Sequence, residues 1–263
     1  MHIKLIHLLL FCCPLWFFCC KKQALQKKII APACYDFMVA DSNTTIPTAP
    51  YQEFFYFNTE HKLIKHTAYS GGVIGWSDTF AYDHGHVVKS WMSLGNNSSA
   101  NYYTRSEYDY TDTLMTASRY YAGANTLIVN SYYTYDDKGR LASYSQHSDN
   151  TSLQADQDYT YNLTYDNNDN VTQIADASGT LVATYSNFDD KPNYSYKLPF
   201  DYAYDIFSYF NAFSKHNAGT SNSYNSYSHA VTTTNNTYTY ANGTVSTINS
   251  SAGVFVTVRS LCK

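Results

Sequence analysis

The sequence predicts an all-β protein built from consecutive antiparallel β-hairpins. Three observations lead to this prediction. Tyrosine is abundant, with 28 residues in a chain of 263, a motif of alternating aromatic residues and an acidic turn recurs, and polar stretches separate its copies. We expect about 12–14 short strands in one curved sheet, open or partly closed, because neighbouring hairpins must share a core. One short helix is expected near residues 200–213.

The fullest copy of the motif is YTYDDKGRL at residues 133–141. Its Tyr-x-Tyr start places alternate side chains on one face of a strand. Asp136 and Gly139 then favour a turn, because Asp caps nearby backbone and glycine adopts positive φ without strain. Leu141 begins the returning strand, so this copy has all the parts of one hairpin.

Seven copies of the motif run along the chain. The anchor aromatic before each turn is Phe57, Tyr82, Tyr110, Tyr135, Tyr165, Phe188 or Tyr240. Successive anchors are 25, 28, 25, 30, 23 and 52 residues apart, and the last interval is close to two periods. The returning strands are expected to begin at Leu63, Val88, Leu114, Leu141, Val171, Tyr194 and Val245. Such a period is typical of arrays in which each repeat is one supersecondary unit.

The first 22 residues, MHIKLIHLLLFCCPLWFFCCKK, have the features of an export signal. The apolar run after Lys4 is too short to span a bilayer comfortably. Its end is similar to a bacterial lipoprotein signal, in which the cysteine after the cleavage point is lipidated. We expect lipidation at Cys20, with Cys19 as the alternative, while an ordinary secretory signal stays open. The predicted domains are a signal peptide at 1–19, a tether at 20–50 and a β domain at 51–263.

The motif resembles the YD repeat, also called the RHS repeat, with the consensus Tyr-Asp-x-x-Gly-Arg-Leu. The residues that match it in full are Tyr135, Asp136, Gly139, Arg140 and Leu141. Together with the lipoprotein-like start and the segments at 188–193 and 214–217, the chain resembles poorly characterised YD-repeat lipoproteins of Bacteroidota-type bacteria. The resemblance covers about residues 50–260. It implies a β-repeat architecture and carries no catalytic residue.

The signal and the resemblance imply an outer-membrane-anchored lipoprotein that meets the membrane through its N-terminal lipid. The stretch KKQALQKK after Cys20 lacks the acidic cluster associated with surface export, so the periplasmic side is favoured. Beyond the signal only Cys34 and Cys262 remain. In an oxidising compartment they can form one disulfide or stay free.

Residues 199–213 interrupt the repeat pattern. The aromatic residues that follow Pro199 with helical spacing are Phe200, Tyr204, Phe207 and Phe210. This spacing predicts a short helix whose aromatic face packs on the sheet. A membrane-binding or partner-binding face is the alternative.

One segment partly matches a calcium loop. Asp166, Asn168 and Asn170 occupy the first three ligand positions of such a loop. Val171 and Ala177 stand where the loop needs glycine and a bidentate glutamate. The segment therefore favours a plain hairpin turn over a calcium site.

No other motif predicts a metal, a cofactor or a reaction. His84 and His86 flank a glycine in a turn, without a third ligand at a supporting spacing. Phosphate-binding loops and serine-nucleophile elbows are absent from the sequence. The formal net charge of −4, without a dense basic patch, disfavours nucleic acid as a partner. We expect a non-enzymatic protein without a metal or cofactor.

The tyrosine stripes are the remaining candidates for a binding function. Tyr108, Tyr110, Tyr133 and Tyr135 can stack on sugar rings, or they can pair across strands and stabilise the sheet. The first functional hypothesis is a cell-envelope scaffold that presents a surface to a protein or a glycan. A carrier of an apolar ligand such as a lipid is the alternative, and an envelope glycan hydrolase is the least favoured.

Overall fold

A computed structural model shows a chain of β-strands connected by short turns. The structure describes residues 34–42, 51–95, 104–123, 126–148, 158–193, 213–225, 228, 230–251 and 254–260, with backbone alone for 34–42, 51, 244 and 254–260. The strands are β1 Cys34–Ser42, β2 Tyr51–Phe57, β3 Leu63–Ser70, β4 Val73–Asp83, β5 His86–Leu94, β6 Thr104–Thr111, β7 Leu114–Ala122, β8 Thr126–Tyr135, β9 Leu141–Ser148, β10 Tyr159–Tyr165, β11 Val171–Asp176, β12 Leu181–Pro192, β13 His216–Tyr224, β14 Val231–Ala241, β15 Thr244–Ser250 and β16 Val254–Ser260. The all-β prediction is confirmed.

Each strand pairs antiparallel with the next along the chain. Strands β2 to β15 form one sheet of 14 consecutive antiparallel strands, which by themselves do not close. β1 pairs with β2 at one edge of this sheet, and β16 pairs with β15 at the other edge. Because β1 also pairs with β16, these two strands join the two edges of the sheet. β1 lies within the segment 20–50, which the sequence predicts to be a tether. The hairpin array is compatible with the YD-repeat resemblance.

Two predicted features fall largely outside the described residues. The segment expected to be helical, near 200–213, is described only at Phe213. The signal peptide with Cys19 and Cys20 is outside them entirely, and so is Cys262. Among the described residues, no helix is long and apolar enough to cross a membrane.

The hairpins of the repeat use turns of two lengths. The residue before each three-residue turn is Asn58, Asp136 or Asp166, and its side-chain oxygen accepts hydrogen bonds from the backbone N–H groups two and four residues later. In the two-residue turn at His84 and Gly85 both residues have positive φ, 47° and 91°. Such turns fit the twist of antiparallel strands. The short polar motifs therefore form the reversals that the sequence predicts.

Turn length decides which residue faces each anchor aromatic. A register shift precedes the anchor in six hairpins, and it places Tyr135 opposite Leu141. In the two-residue hairpins the facing residues are Val87 and Met115, each 4% exposed, and Val245, which is 5% exposed. Four predicted restarts coincide with the first residue of a strand, namely Leu63, Leu114, Leu141 and Val171, whereas β5 begins two residues before Val88 and β15 one residue before Val245.

The copy anchored on Phe188 departs from the simple hairpin. Phe188 lies inside β12 and pairs with Ala218 of β13, not with a residue of an adjacent return strand. The connection between β12 and β13 runs from 193 to 215, and the predicted restart at Tyr194 lies outside the described residues. This copy is a hairpin with a long insertion in place of its turn.

Tyrosine and serine side chains share the inner face of the sheet with aliphatic residues. The Tyr144 hydroxyl pairs with Ser131, 3.1 Å away, and Tyr144 is 1% exposed. The most deeply buried aliphatic residues around it include Val171 and Ile174. The paired serine lets a phenol enter the core without an unsatisfied hydroxyl.

Candidate functional site

A half-open cavity of about 620 Å³ lies on the inner face of the sheet, at the end where the repeat hairpins turn. We call it the repeat-end cavity. It is lined by Tyr82, Gly85, His86, Val87, Tyr110, Thr113, Leu114, Met115, Tyr135, Lys138, Gly139, Arg140, Leu141, Tyr165, Asp169, Phe213 and Lys215. Four successive copies of the repeat thus contribute their anchor tyrosines to one space.

The anchor tyrosines tie each hairpin to an earlier one. The Tyr82 hydroxyl donates to the carbonyl oxygen of Leu63, at 2.7 Å. The Tyr135 hydroxyl donates to the Met115 carbonyl at 2.7 Å. Burial raises the pKa of Tyr135 to about 12, although the hydrogen bond to Met115 acts in the opposite direction. Both hydrogen bonds hold the tyrosine rings in fixed positions.

Tyr165 repeats this arrangement one hairpin further along the chain. Its hydroxyl donates to the carbonyl of Leu141 at 2.9 Å. The guanidinium of Arg140 lies over its ring, 4.4 Å from the ring centre. Because both contacts come from the hairpin of β8 and β9, they join that hairpin to the next.

Arg140, the consensus arginine of the fullest copy, bridges two turns. Its Nε donates to Asp136 in its own turn and its Nη1 donates to Asp169 in the following turn, each at 2.7 Å. Desolvation raises the pKa of Asp136, but hydrogen bonds from the Arg140 and Lys138 backbone and the Arg140 side chain lower it by more. Asp136 is thus an ionised turn residue and arginine partner.

The insertion between β12 and β13 supplies one wall of the cavity. Ser214 is fully buried, and its hydroxyl accepts a hydrogen bond from the backbone N–H of Val171 at 3.0 Å. The backbone N–H of Lys215 donates to the carbonyl of Asp169 at 3.2 Å. These contacts fasten residues 213–215 against the turn between β10 and β11.

The segments 188–193 and 214–217, both noted in the sequence, meet in this wall. Asn193 donates through its side-chain amide to the Ser214 carbonyl at 3.1 Å. The Asp189 carboxylate accepts hydrogen bonds from the backbone of Lys191 and of Asn217. It also accepts one from the Tyr240 hydroxyl, and burial together with this contact raises the pKa of Tyr240. Both segments therefore hold the insertion in place.

The four predicted glycan-stacking tyrosines lie at two depths. Tyr108 and Tyr133 are 4% and 6% exposed, and their hydroxyls pair with Ser90 and Ser118. Tyr110 and Tyr135 are partly buried and line the cavity. A ligand in the cavity can touch the second pair, whereas the first lies in the core.

The remaining sequence candidates have local roles. Asp166 accepts from the backbone N–H groups of Asn168 and Asn170, as a turn-capping residue does. His84 is exposed, while His86 lies against the Tyr110 ring with 4.7 Å between ring centres. Within the described ranges, no group of three or more His, Cys, Asp or Glu is placed to hold a metal ion.

One polar cluster on β2 to β4 is not evident from the sequence. His66 is fully buried between two acids, with Glu53 at 3.7 Å from Nε2 and Asp78 at 3.6 Å from Nδ1. Its ring stacks on Phe55 with 4.3 Å between centres. Burial opposes protonation, but the contacts with Asp78 and Glu53 outweigh it and raise the pKa of His66. Only strand register brings these three residues together.

Comparison with known proteins shows the fold but no family. No family model matches the chain, and no curated protein matches its sequence. The fold is similar to that of a porin-like protein from Bacteroides uniformis ATCC 8492, with a TM-score of 0.57 and 12% identity, over 87% of this chain and 97% of that one.

Two further likenesses are weaker. A porin-like protein from Bacteroides vulgatus ATCC 8482 has a TM-score of 0.44 and 14% identity, over 85% of this chain and 96% of that one. The TcdB2-TccC3 structure has a TM-score of 0.27 and 15% identity, over 79% of this chain and 10% of that one. Of the three, the Bacteroides uniformis protein has the score that indicates a shared fold, so the chain is an all-β repeat protein of that overall architecture.

Proposed function

We propose that the chain is a non-enzymatic lipoprotein of the cell envelope whose β-hairpin repeats form a ligand-binding scaffold. The observation that carries the proposal is the repeat-end cavity, to which Tyr82, Tyr110, Tyr135 and Tyr165 all contribute. Their hydrogen bonds to other hairpins fix the rings before any ligand arrives. Such preorganisation lowers the entropic cost of binding.

The acids around the cavity support binding rather than hydrolysis. A glycosidase needs two carboxyl groups that face each other across the scissile bond. Among the residues that line the cavity, Asp169 is the one carboxylate, and it is paired with Arg140. Its role is therefore structural.

The outer face of the sheet is charged, and this agrees with anchoring through an N-terminal lipid. On that face of β5 to β7, Glu107 contacts Lys89 at 2.8 Å, and Arg119 pairs with Asp109. A charged network of this kind suits contact with water. The fold shared with a porin-like Bacteroides protein supports an envelope location, for which we propose the periplasmic side of the outer membrane.

The lipid anchor is tested by labelling cells with a fatty-acid probe. We expect label on the wild type and on Cys19→Ala, and none on Cys20→Ala. Loss of label on Cys19→Ala alone would move the attachment to Cys19. Absence of label on every form would overturn the lipoprotein assignment.

The binding site is tested by filling the cavity. Thr113→Trp places a large side chain in the lining, whereas Thr111→Trp changes an exposed residue outside it. Both variants and the wild type are screened against a glycan array and a panel of fatty acids. We expect the wild type and Thr111→Trp to bind, and Thr113→Trp to lose binding. No binding by the wild type, or equal binding by all three, would refute the proposal.

A further inference from the structure

The walls of the repeat-end cavity are chemically less polar than their tyrosine content indicates. The hydroxyls of Tyr82, Tyr135 and Tyr165 are all donated to backbone carbonyl groups of other hairpins. A ligand therefore meets ring carbons on these walls, not free phenol donors. The lining also includes the apolar residues Val87, Leu114, Met115, Leu141 and Phe213.

This wall chemistry favours an alkyl chain over a sugar. A sugar carries several hydroxyl groups, and each one buried without a partner is costly. An alkyl chain has no such requirement and gains from every methylene removed from water. The volume of about 620 Å³ lies in the usual size range of small-molecule sites.

Two lysines at the mouth of the cavity can bind a negatively charged end of a ligand. Lys138 lies in the turn between β8 and β9, and Lys215 lies in the insertion before β13. Both are exposed, and neither forms an ion pair with another residue that the structure describes. Arg140 is already paired with Asp136 and Asp169, so the lysines are the cations left for a ligand.

We propose that the repeat-end cavity binds a single-chain anionic amphiphile, with its alkyl chain between the tyrosine rings and its head group at Lys138 and Lys215. The inference rests on the proposed function, namely that this cavity is the binding site. The head group is a carboxylate or a phosphate, as in a free fatty acid or a lysophospholipid. The protein is then a carrier of such molecules in the envelope.

The test uses the full chain with Cys19→Ala and Cys20→Ala, so that no covalently attached lipid competes for the cavity. Affinities are measured below the micelle concentration for saturated fatty acids of increasing length, for matched primary alcohols and for matched lysophosphatidic acids. We expect affinity to rise roughly fourfold per methylene until the cavity is full. The acids should bind about tenfold more tightly than the alcohols.

The double variant Lys138→Ala, Lys215→Ala separates the head group from the chain. We expect it to bind acids and alcohols equally, with an unchanged dependence on chain length. Comparison of fatty acids with lysophosphatidic acids then identifies which head group is preferred. Circular dichroism checks that the double variant, altered at two exposed positions, keeps its sheet.

The possible failures are distinguishable. If acyl ligands show no chain-length dependence while an oligosaccharide binds and Thr113→Trp abolishes that binding, the amphiphile inference is wrong and the proposed function stands. If neither ligand class binds the wild type, both are wrong. Equal affinity for acids and alcohols in the wild type overturns the assignment of the lysines.

Discussion

The hydrogen bonds between hairpins can be tested by removing one oxygen atom. Tyr165→Phe deletes the hydroxyl that donates to the Leu141 carbonyl at 2.9 Å and keeps the ring under Arg140. The paired residues of β9 and β10 extend only to Ser143 and Asn162, so this hydroxyl satisfies a carbonyl beyond the end of the ladder. When the hydroxyl is removed, the carbonyl of Leu141 loses this donor, and Leu141 is only 4% exposed.

The expected magnitude follows from these contacts. A net hydrogen bond contributes about 0.5–1.5 kcal/mol, and an unsatisfied buried acceptor costs about 1–3 kcal/mol. Because water reaches the open side of the cavity, we expect a loss of about 1–2 kcal/mol in the free energy of unfolding. At an m-value of about 2 kcal/mol/M, the urea midpoint then falls by roughly 0.5–1 M.

A second tyrosine provides the control. Burial raises the pKa of Tyr185 to about 12, and no hydrogen bond to its hydroxyl occurs among the described residues. Tyr185→Phe should therefore change the free energy of unfolding by less than about 0.5 kcal/mol. Both variants are unfolded in urea and followed by far-ultraviolet circular dichroism. Equal midpoints for the two variants would refute the stabilising role of the tyrosine-to-carbonyl bonds.

Two further predictions concern packing and pH. A Cβ on Gly219 would lie 2.6 Å from the Asn187 carbonyl oxygen, so Gly219→Ala should cost about 1–3 kcal/mol, while Gly75→Ala, with its nearest atom at 3.7 Å, should not destabilise. A calorimetric melting temperature that is equal for both would contradict this. The pKa of His66 is raised in the fold. The contribution of His66 to the free energy of unfolding is therefore present at low pH and is lost as the pH rises through this raised pKa. The pKa of Asp78 is also raised, through burial, and acts in the same direction. Urea midpoints should fall as the pH rises above 6.5, the ordinary pKa of histidine, and His66→Gln should flatten the fall; an equal slope in both proteins would exclude His66.

Turn chemistry could be predicted from the sequence because it is local. Asp136 and Asp166 bond to backbone groups two and four residues away, so their role needs no partner from elsewhere in the chain. The restart predicted at Val88 lies one residue after Val87, which faces the anchor Tyr82, and this offset has a local cause too. A turn of two residues and a turn of three share the same residue types, and their difference moves the register by one.

Depth within the sheet could not be predicted in the same way. Tyr108 and Tyr110 are two residues apart, so the alternation of a strand places both on the inner face. Tyr108 lies in the core and Tyr110 lines the cavity, because their distances from the end of the sheet differ. Alternation identifies a face of the sheet and contains no information about position along its axis.

By itself, the sequence determined the all-β class, the repeat period and the residues that reverse the chain, because all three depend on contacts within a few residues. Tertiary structure alone decided where the repeat-end cavity lies. The repeat-end cavity needs four hairpins side by side and an insertion, residues 213–215, fastened by hydrogen bonds to β10 and β11. These contacts join residues far apart in the chain, and strand pairing brings them together.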